Sequence, residues 1–401
     1  MKPLAITAHT ATSCLGLGLE AQAQALRAQL SGLTPCTFMD LGLKTWIGEV
    51  GAIDVHPLPE AFLNYECRNN RLARIGFEQD GFDGQVRRAI EQYGASRVGL
   101  FLGSSTSGLL STELAYRNRD PSSGALPPSL HYAETHNMFS LASFVKDWFD
   151  MTGPASVVSV ACASSAKVFA TAARAIEVGL IDAALVGGVD SLCLTTLYGF
   201  GSLELLSTEV CRPFDAARSG ISIAEAAGFA LLERAMASSD QQAEPAMYLL
   251  GFGESSDAYH MSSPHPEGWG AQQAMKRALR EANLANTDID YINLHGTATP
   301  SNDSAEDAAV FAVFDGQVPV SSTKGAHGHT LGAAGALEAA VSLIALREQF
   351  MPAGLNVKQL DASLKSPYLT QNRPARLRRV MSNSFGFGGA NCSLVFGVEA
   401  S

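Results

Sequence analysis

The chain has 401 residues, 46% of them hydrophobic and 17% charged, with a formal net charge of −11. A chain of this size buries a large core and divides into domains or duplicated units, and its apolar content excludes a disordered or fibrous protein. The acidity excludes a nucleic-acid partner, which needs a basic surface, and no apolar run approaches the ~18–20 residues that cross a bilayer. Cysteines at 14, 36, 67, 162, 193, 211 and 392 show neither metal-ligand spacing nor a disulfide framework. No metal is expected, and free thiols fit a reducing cytoplasm. The N-terminus lacks a sustained apolar core and a cleavage site, so it reads as a first strand rather than a secretion signal.

In chain order, the first marked feature is Arg68, Arg71 and Arg74, whose spacing of three puts them on one helical face. They read as a docking patch for an acidic partner. Residues 97–103, 155–161 and 183–187 read as buried strands, as do 291–294, 318–322 and 391–396 further on. Alternation with helical stretches predicts an α/β protein. A polar, breaker-rich stretch at 237–245 predicts a first domain over 1–240 and a second over 246–401.

Cys162 lies in Ser159-Val-Ala-Cys-Ala-Ser-Ser-Ala, between a strand and a helix beginning near Ser164. A thiol there meets free backbone N–H groups and the helix dipole, which predicts a lowered pKa and a nucleophile. His295 follows a predicted strand in Leu294-His-Gly-Thr-Ala-Thr-Pro, with Glu306 beyond it. Lys324 and His329 flank a turn before the Gly/Ala-rich helix of Gly-Ala-Ala-Gly, and Asn383-Ser-Phe-Gly-Phe-Gly-Gly-Ala-Asn391 is a loop rich in backbone donors. A thiolate, two imidazoles, a lysine and an N–H-rich loop are what carbon–carbon bond formation from thioesters needs.

These four ordered motifs resemble those of the β-ketoacyl-[acyl-carrier-protein] synthases of the Cys-His-His type, over essentially the whole chain. The resemblance implies the thiolase fold, a duplicated αβαβα layering, and a dimer. It implies that Cys162 holds the acyl chain, that the N–H groups of Cys162 and Phe387 form an oxyanion hole, and that His295 and His329 assist loss of carbon dioxide from malonyl-carrier protein. Lys324 and Glu306 match a charged pair organising the site. Thr297 and Thr299 match residues that bind the phosphopantetheine arm, and Phe385 and Phe387 lie at the acyl pocket, Phe387 as its gate. No cofactor of the chain's own is implied, because phosphopantetheine arrives on the acyl carrier protein. Arg68, Arg71 and Arg74 would dock that carrier.

Departures from the housekeeping pattern are Lys167, the stretch 212–228, Ala390 and a hydroxyl-rich run at 104–113 expected to line the acyl pocket. The stretch 189–205 resembles aryl-polyene synthases, in which the active chain pairs with a cysteine-lacking chain-length partner. The alternatives are housekeeping fatty-acid elongation and a catalytically inactive partner subunit, which retention of Cys162 opposes. Thiolases and initiating synthases complete their sites with a second cysteine or an asparagine rather than two histidines.

Overall fold

The computed structural model describes residues 1–51, 53–235 and 247–398. The expected boundary at 237–245 therefore lies outside the described residues, but strand order exposes the duplication directly. The first half supplies β1 (Leu4–Ser13), β2 (Val98–Gly103), β3 (Ala155–Val158), β4 (Ala183–Asp190) and β5 (Ala226–Arg234). The second supplies β6 (Met247–Ser256), β7 (Tyr291–Asn293), β8 (Val320–Ser321), β9 (Arg379–Phe385) and β10 (Ala390–Gly397). In space they run β3-β2-β4-β5-β1, then β6-β10-β9-β7-β8.

Each half is thus the same unit, with its own first strand beside its fifth. The fifth strand is antiparallel to the first and fourth, while the fourth, second and third are parallel. Antiparallel pairing of Leu4 with Leu249 and Ile6 with Met247 joins the halves. Strands β2 and β4 are buried along their whole length, which is why they read as unbroken apolar runs: a parallel sheet is covered on both faces.

Six helices matter here: α1 (Arg68–Phe77), α2 (Ser140–Phe149), α3 (Ser164–Glu177), α4 (Trp269–Glu281), α5 (Pro300–Phe314) and α6 (Ala334–Glu348). α1 and α2 pack on one outer face through Leu72, Phe77 and Phe144, and α4 and α5 on the other through Met275, Ala278 and Val313. Between the sheets α3 meets α6, which completes the αβαβα layering. α6 is buried continuously from Ala334 to Leu346, so it has no solvent-facing polar side; a helix covered all round belongs in a core. The two helices approach closely because Gly335 has no side chain. A Cβ there would lie 2.5 Å from the backbone nitrogen of Ala166. The Ala336 N–H also donates to Ser165 Oγ at 2.9 Å.

Candidate active site

The chemistry gathers at the carboxyl ends of strands in both halves. Cys162 follows β3 and stands one residue before the N-cap of α3. Ala161 holds φ at 53°, a left-handed conformation that costs a residue with a Cβ and survives only where neighbours enforce it. Ser164 enforces it: its Oγ accepts from Val160 N–H at 2.9 Å and donates to the Ala161 carbonyl at 2.5 Å. The loop after β9 closes on this elbow at Gly386, where a Cβ would sit 3.0 Å from Val160 O and 3.1 Å from Cys162 N.

His329 comes from the matching end of the second half, between β8 and α6. Its backbone extends the small sheet made by Thr34–Pro35, Trp46–Gly48 and Ile223–Ala224. His329 N–H donates to Ser222 O at 2.7 Å, and Ala224 N–H donates to His329 O at 3.0 Å. His329 Nε2 is 3.1 Å from Cys162 Sγ. Its Nδ1 accepts from the Leu331 N–H at 3.1 Å, so the neutral ring carries its proton on Nε2 and donates toward the sulfur.

His295, just past β7, is arranged alike. Lys324 Nζ is 3.3 Å from His295 Nδ1, and an ammonium only donates, so His295 also holds its proton on Nε2. Burial, reinforced by the Lys324 charge, keeps both imidazoles well below the usual histidine pKa. They are neutral donors at physiological pH. Donor atoms of Cys162, His295 and His329 all lie within 4.8 Å of one another, close enough to share one carbonyl. The three side chains open into a small pocket of about 50 Å³. Its wall combines apolar Phe200, Leu205 and Ile221 with Thr297, Thr299 and Asn302. Phe387 packs on Phe200 with ring centroids 5.7 Å apart, and Phe385 faces His295 at 6.2 Å.

Residues 71–237 match the model of the beta-ketoacyl synthase N-terminal domain, and 247–358 that of the C-terminal domain. The 3-oxoacyl-[acyl-carrier-protein] synthase 2 of Coxiella burnetii is 31% identical over 97% of this chain and 97% of its own. The chain belongs to the beta-ketoacyl synthase family. Among solved structures, the complex of a Xenorhabdus doucetiae ketosynthase with its chain length factor contains a chain 37% identical to this one. The TM-score is 0.89, over 99% of this chain and 98% of that one. A beta-ketoacyl synthase from Burkholderia phymatum aligns at TM-score 0.88 with 28% identity, over 99% of both chains. The protein is a condensing acyltransferase with the thiolase fold.

Within this synthase several expectations need correction. Burial pushes the Cys162 thiol up to about 11, against the opposing pull of Lys324 and of the Phe387 and Cys162 N–H groups. The helix N-terminus is where it was expected, but a sulfur only 6% exposed loses its hydration. The resting group is therefore a thiol rather than the thiolate the helix N-terminus alone suggests.

Lys324 does not pair with Glu306. Its ammonium pairs with Glu338, one turn into α6, and donates to the His295 carbonyl at 2.5 Å. Glu306 accepts the N–H groups of His295 and Gly296 at 2.8 and 2.7 Å, which fixes the backbone of the histidine loop. Burial raises Glu306 to about 8 and Glu338 to about 7.

Arg68 is not a surface residue. It is 9% exposed and holds Glu225 with Nε at 2.9 Å and Nη2 at 2.7 Å, with Asp54 and Glu49 beside it. Arg71 pairs with Glu66, and Arg74 pairs with Glu78 and lies over the Trp148 ring. The cluster's charge is compensated, and the three arginines do not share an open face.

The hydroxyls of 104–113 are not in the pocket wall either. Ser104 and Thr106 bind Asp190, while Glu113 accepts the N–H groups of Leu194 and Thr195. Lys167 pairs with Glu254. Thr297 and Thr299 line the pocket and hydrogen-bond each other at 2.9 Å. His327 is buried between Thr323 Oγ1 and Gly328 O, and His260 is exposed; neither reaches the thiol cluster. Asp190, Glu225 and Glu338 escaped the sequence reading. Their signal was a carboxylate inside an otherwise apolar run, which demands a donor or cation.

Proposed function

We propose that this synthase performs decarboxylative Claisen condensation, extending an acyl chain held on Cys162 with a unit from malonyl-carrier protein. The supporting observation is the shared cluster of Cys162 Sγ with two imidazoles whose Nδ1 atoms are occupied. In the first half-reaction Sγ attacks the thioester carbonyl of the acyl carrier. The Cys162–carbonyl bond forms, the pantetheine C–S bond breaks, and the proton of the cysteine leaves on the pantetheine thiol. The N–H groups of Cys162 and Phe387, which pull the thiol down against burial, would receive the transient oxyanion.

In the second half-reaction the malonyl C–C bond breaks and carbon dioxide departs, leaving an enolate on the thioester oxygen. Two neutral Nε2–H donors stabilise that oxygen without giving up their protons. A cationic imidazole there would protonate the carbanion carbon instead of leaving it nucleophilic. The enolate carbon then attacks the acyl-Cys162 carbonyl, and the thiolate departs from a 3-oxoacyl product two carbons longer. The phosphopantetheine of the carrier would pass Thr297 and Thr299.

Two further elements belong to this proposal. One is a heterodimer with a chain-length-factor-like paralogue. The other is a role in aryl-polyene or related type II polyketide or fatty-acid synthesis. Likeness to a chain of a ketosynthase–chain length factor complex over 99% of this chain supports the first. Housekeeping elongation as a homodimer is the competing reading. Intact-mass spectrometry with saturated, polyenoyl and aryl-polyenoyl carriers, with and without malonyl-carrier protein, tests it. Cys162→Ala should abolish acylation and product alike while the fold persists. Acyl-Cys162 that forms but never condenses sinks the elongation reading, and equal use of every carrier removes the pathway assignment.

A further inference from the structure

We infer that Asp190, which touches no part of the pocket, is the positioning residue that determines which nitrogen of His329 carries the proton. Asp190 ends β4 in the first half and is fully buried. Its Oδ1 accepts from Ser104 Oγ, Ser105 N, Thr106 N and Thr106 Oγ1, each at 2.8 Å. Its Oδ2 accepts from Ser105 N at 3.0 Å and, across the boundary between the halves, from Gly332 N at 2.6 Å.

Gly332 follows Leu331, whose φ is 53°. The two N–H groups on either side of that left-handed Cα face different partners: the Leu331 N–H meets His329 Nδ1, and the Gly332 N–H meets Asp190. A non-glycine residue holds such a conformation where its surroundings enforce it, here through these two bonds together with the Ala333 N–H, which donates to Thr330 O at 3.0 Å. Gly332 permits the approach, since a Cβ there would lie 2.7 Å from both Asp190 Oδ2 and Ser105 Oγ. His329 is bridged to the small sheet upstream and α6 is buried downstream, so relaxation of Leu331 to φ below zero has to be taken up by the Thr330–Leu331 peptide, which carries its N–H away from Nδ1. Both ring nitrogens of His329 then compete for one proton, and the Nε2–H that faces the substrate is no longer assured.

The catalytic part of this inference rests on the condensation proposed above, but the proton's location is readable in the resting enzyme. Asp190→Asn is near-isosteric. Its amide oxygen faces the four donors now on Oδ1, which turns the NH2 toward the Gly332 N–H and breaks that bond. The probe is the nitrogen-15 spectrum of histidine-labelled full-length protein. In the variant, the His329 signals should move from an Nε2–H pattern to a mixed one, while His295, tied by Lys324, stays unchanged. Condensation should fall about tenfold, the worth of one strained left-handed residue, and Cys162 acylation should fall less.

Adding Leu331→Gly to Asp190→Asn should restore the spectrum and the rate, because glycine adopts that turn without support. Gly332→Ala, which crowds the same contact from the other side, serves as the second variant should Asp190→Asn fail to fold. Unshifted His329 signals in either folded variant, or no recovery on adding Leu331→Gly, overturn the inference.

Discussion

Lys324→Met separates what the buried lysine does for folding from what it does for chemistry. Lys324 and Glu338 are both 0% exposed, and Glu338 Oε2 already has no hydrogen-bond partner. Removing one member of such a pair leaves an uncompensated buried charge and costs about 3–5 kcal/mol. Glu338 is already raised to about 7, so without its counter-charge it takes up a proton, which limits the loss toward the lower figure. The same substitution frees His295 Nδ1 and its carbonyl, so the Nε2–H is no longer fixed, and losing one preorganised donor costs about 10²–10³ in kcat. In Lys324→Met/Glu338→Leu an apolar pair replaces the ions, which should return most of the stability while condensation stays low. The assays are denaturant unfolding and single-turnover formation of 3-oxoacyl product. Activity recovering together with stability in the double variant refutes the reasoning, because Lys324 would then act through folding alone.

Arg68→Ala should destabilise by about 3–5 kcal/mol, since Glu225 is left buried without its cation; Arg71→Ala, which breaks a pair with both side chains 24% exposed, should cost no more than about 1 kcal/mol. Equal unfolding midpoints for the two would contradict the burial described above. His327 is held down to about 3 by burial, below its ordinary 6.5, so its contribution is complete above pH 6.5 and is lost as pH falls toward 3. The stability advantage of wild type over His327→Gln should therefore narrow from pH 7.5 to pH 5; an advantage that widens reverses the sign and excludes a buried neutral ring. Gly335→Val drives a side chain against the Ala166 backbone and should cost about 1–3 kcal/mol or more. It should also move His329 away from Cys162, so near-native activity would show that the seam does not set the 3.1 Å contact.

The positions of Cys162 and His295 were legible because each follows a short apolar run at a strand's end, where α/β proteins present reactive groups, whereas His329 stood out at the turn before a Gly/Ala-rich helix. The alternation of buried runs with helical stretches likewise revealed the fold class. Partner choice was not legible. Glu306 and Glu338 both lie within reach of Lys324 by sequence, and only the packing of α6 between two sheets decides for Glu338. The carboxylate amid Ala334 to Leu346 was nevertheless a warning that a cation had to face it. The spacing of Arg68, Arg71 and Arg74 describes one helix face but not which layer covers it, and Glu225 within 221–232 was the missed clue that a guanidinium lies buried. Serines and threonines at 104–113 suit a polar pocket and a buried carboxylate cradle equally well, because composition carries no direction.

The repeated strand order has one more consequence. Cys162 and His329 precede the two central helices and His295 follows a strand of the second half, whereas the Gly335–Ala166 seam that locks those helices together lies within their first turns and involves none of the three. Exchange of the sulfur for an inert side chain would therefore leave the architecture undisturbed. Shape and reactivity are inherited separately in such a scaffold, so a lineage can keep one copy as a worker and retire another into a mould.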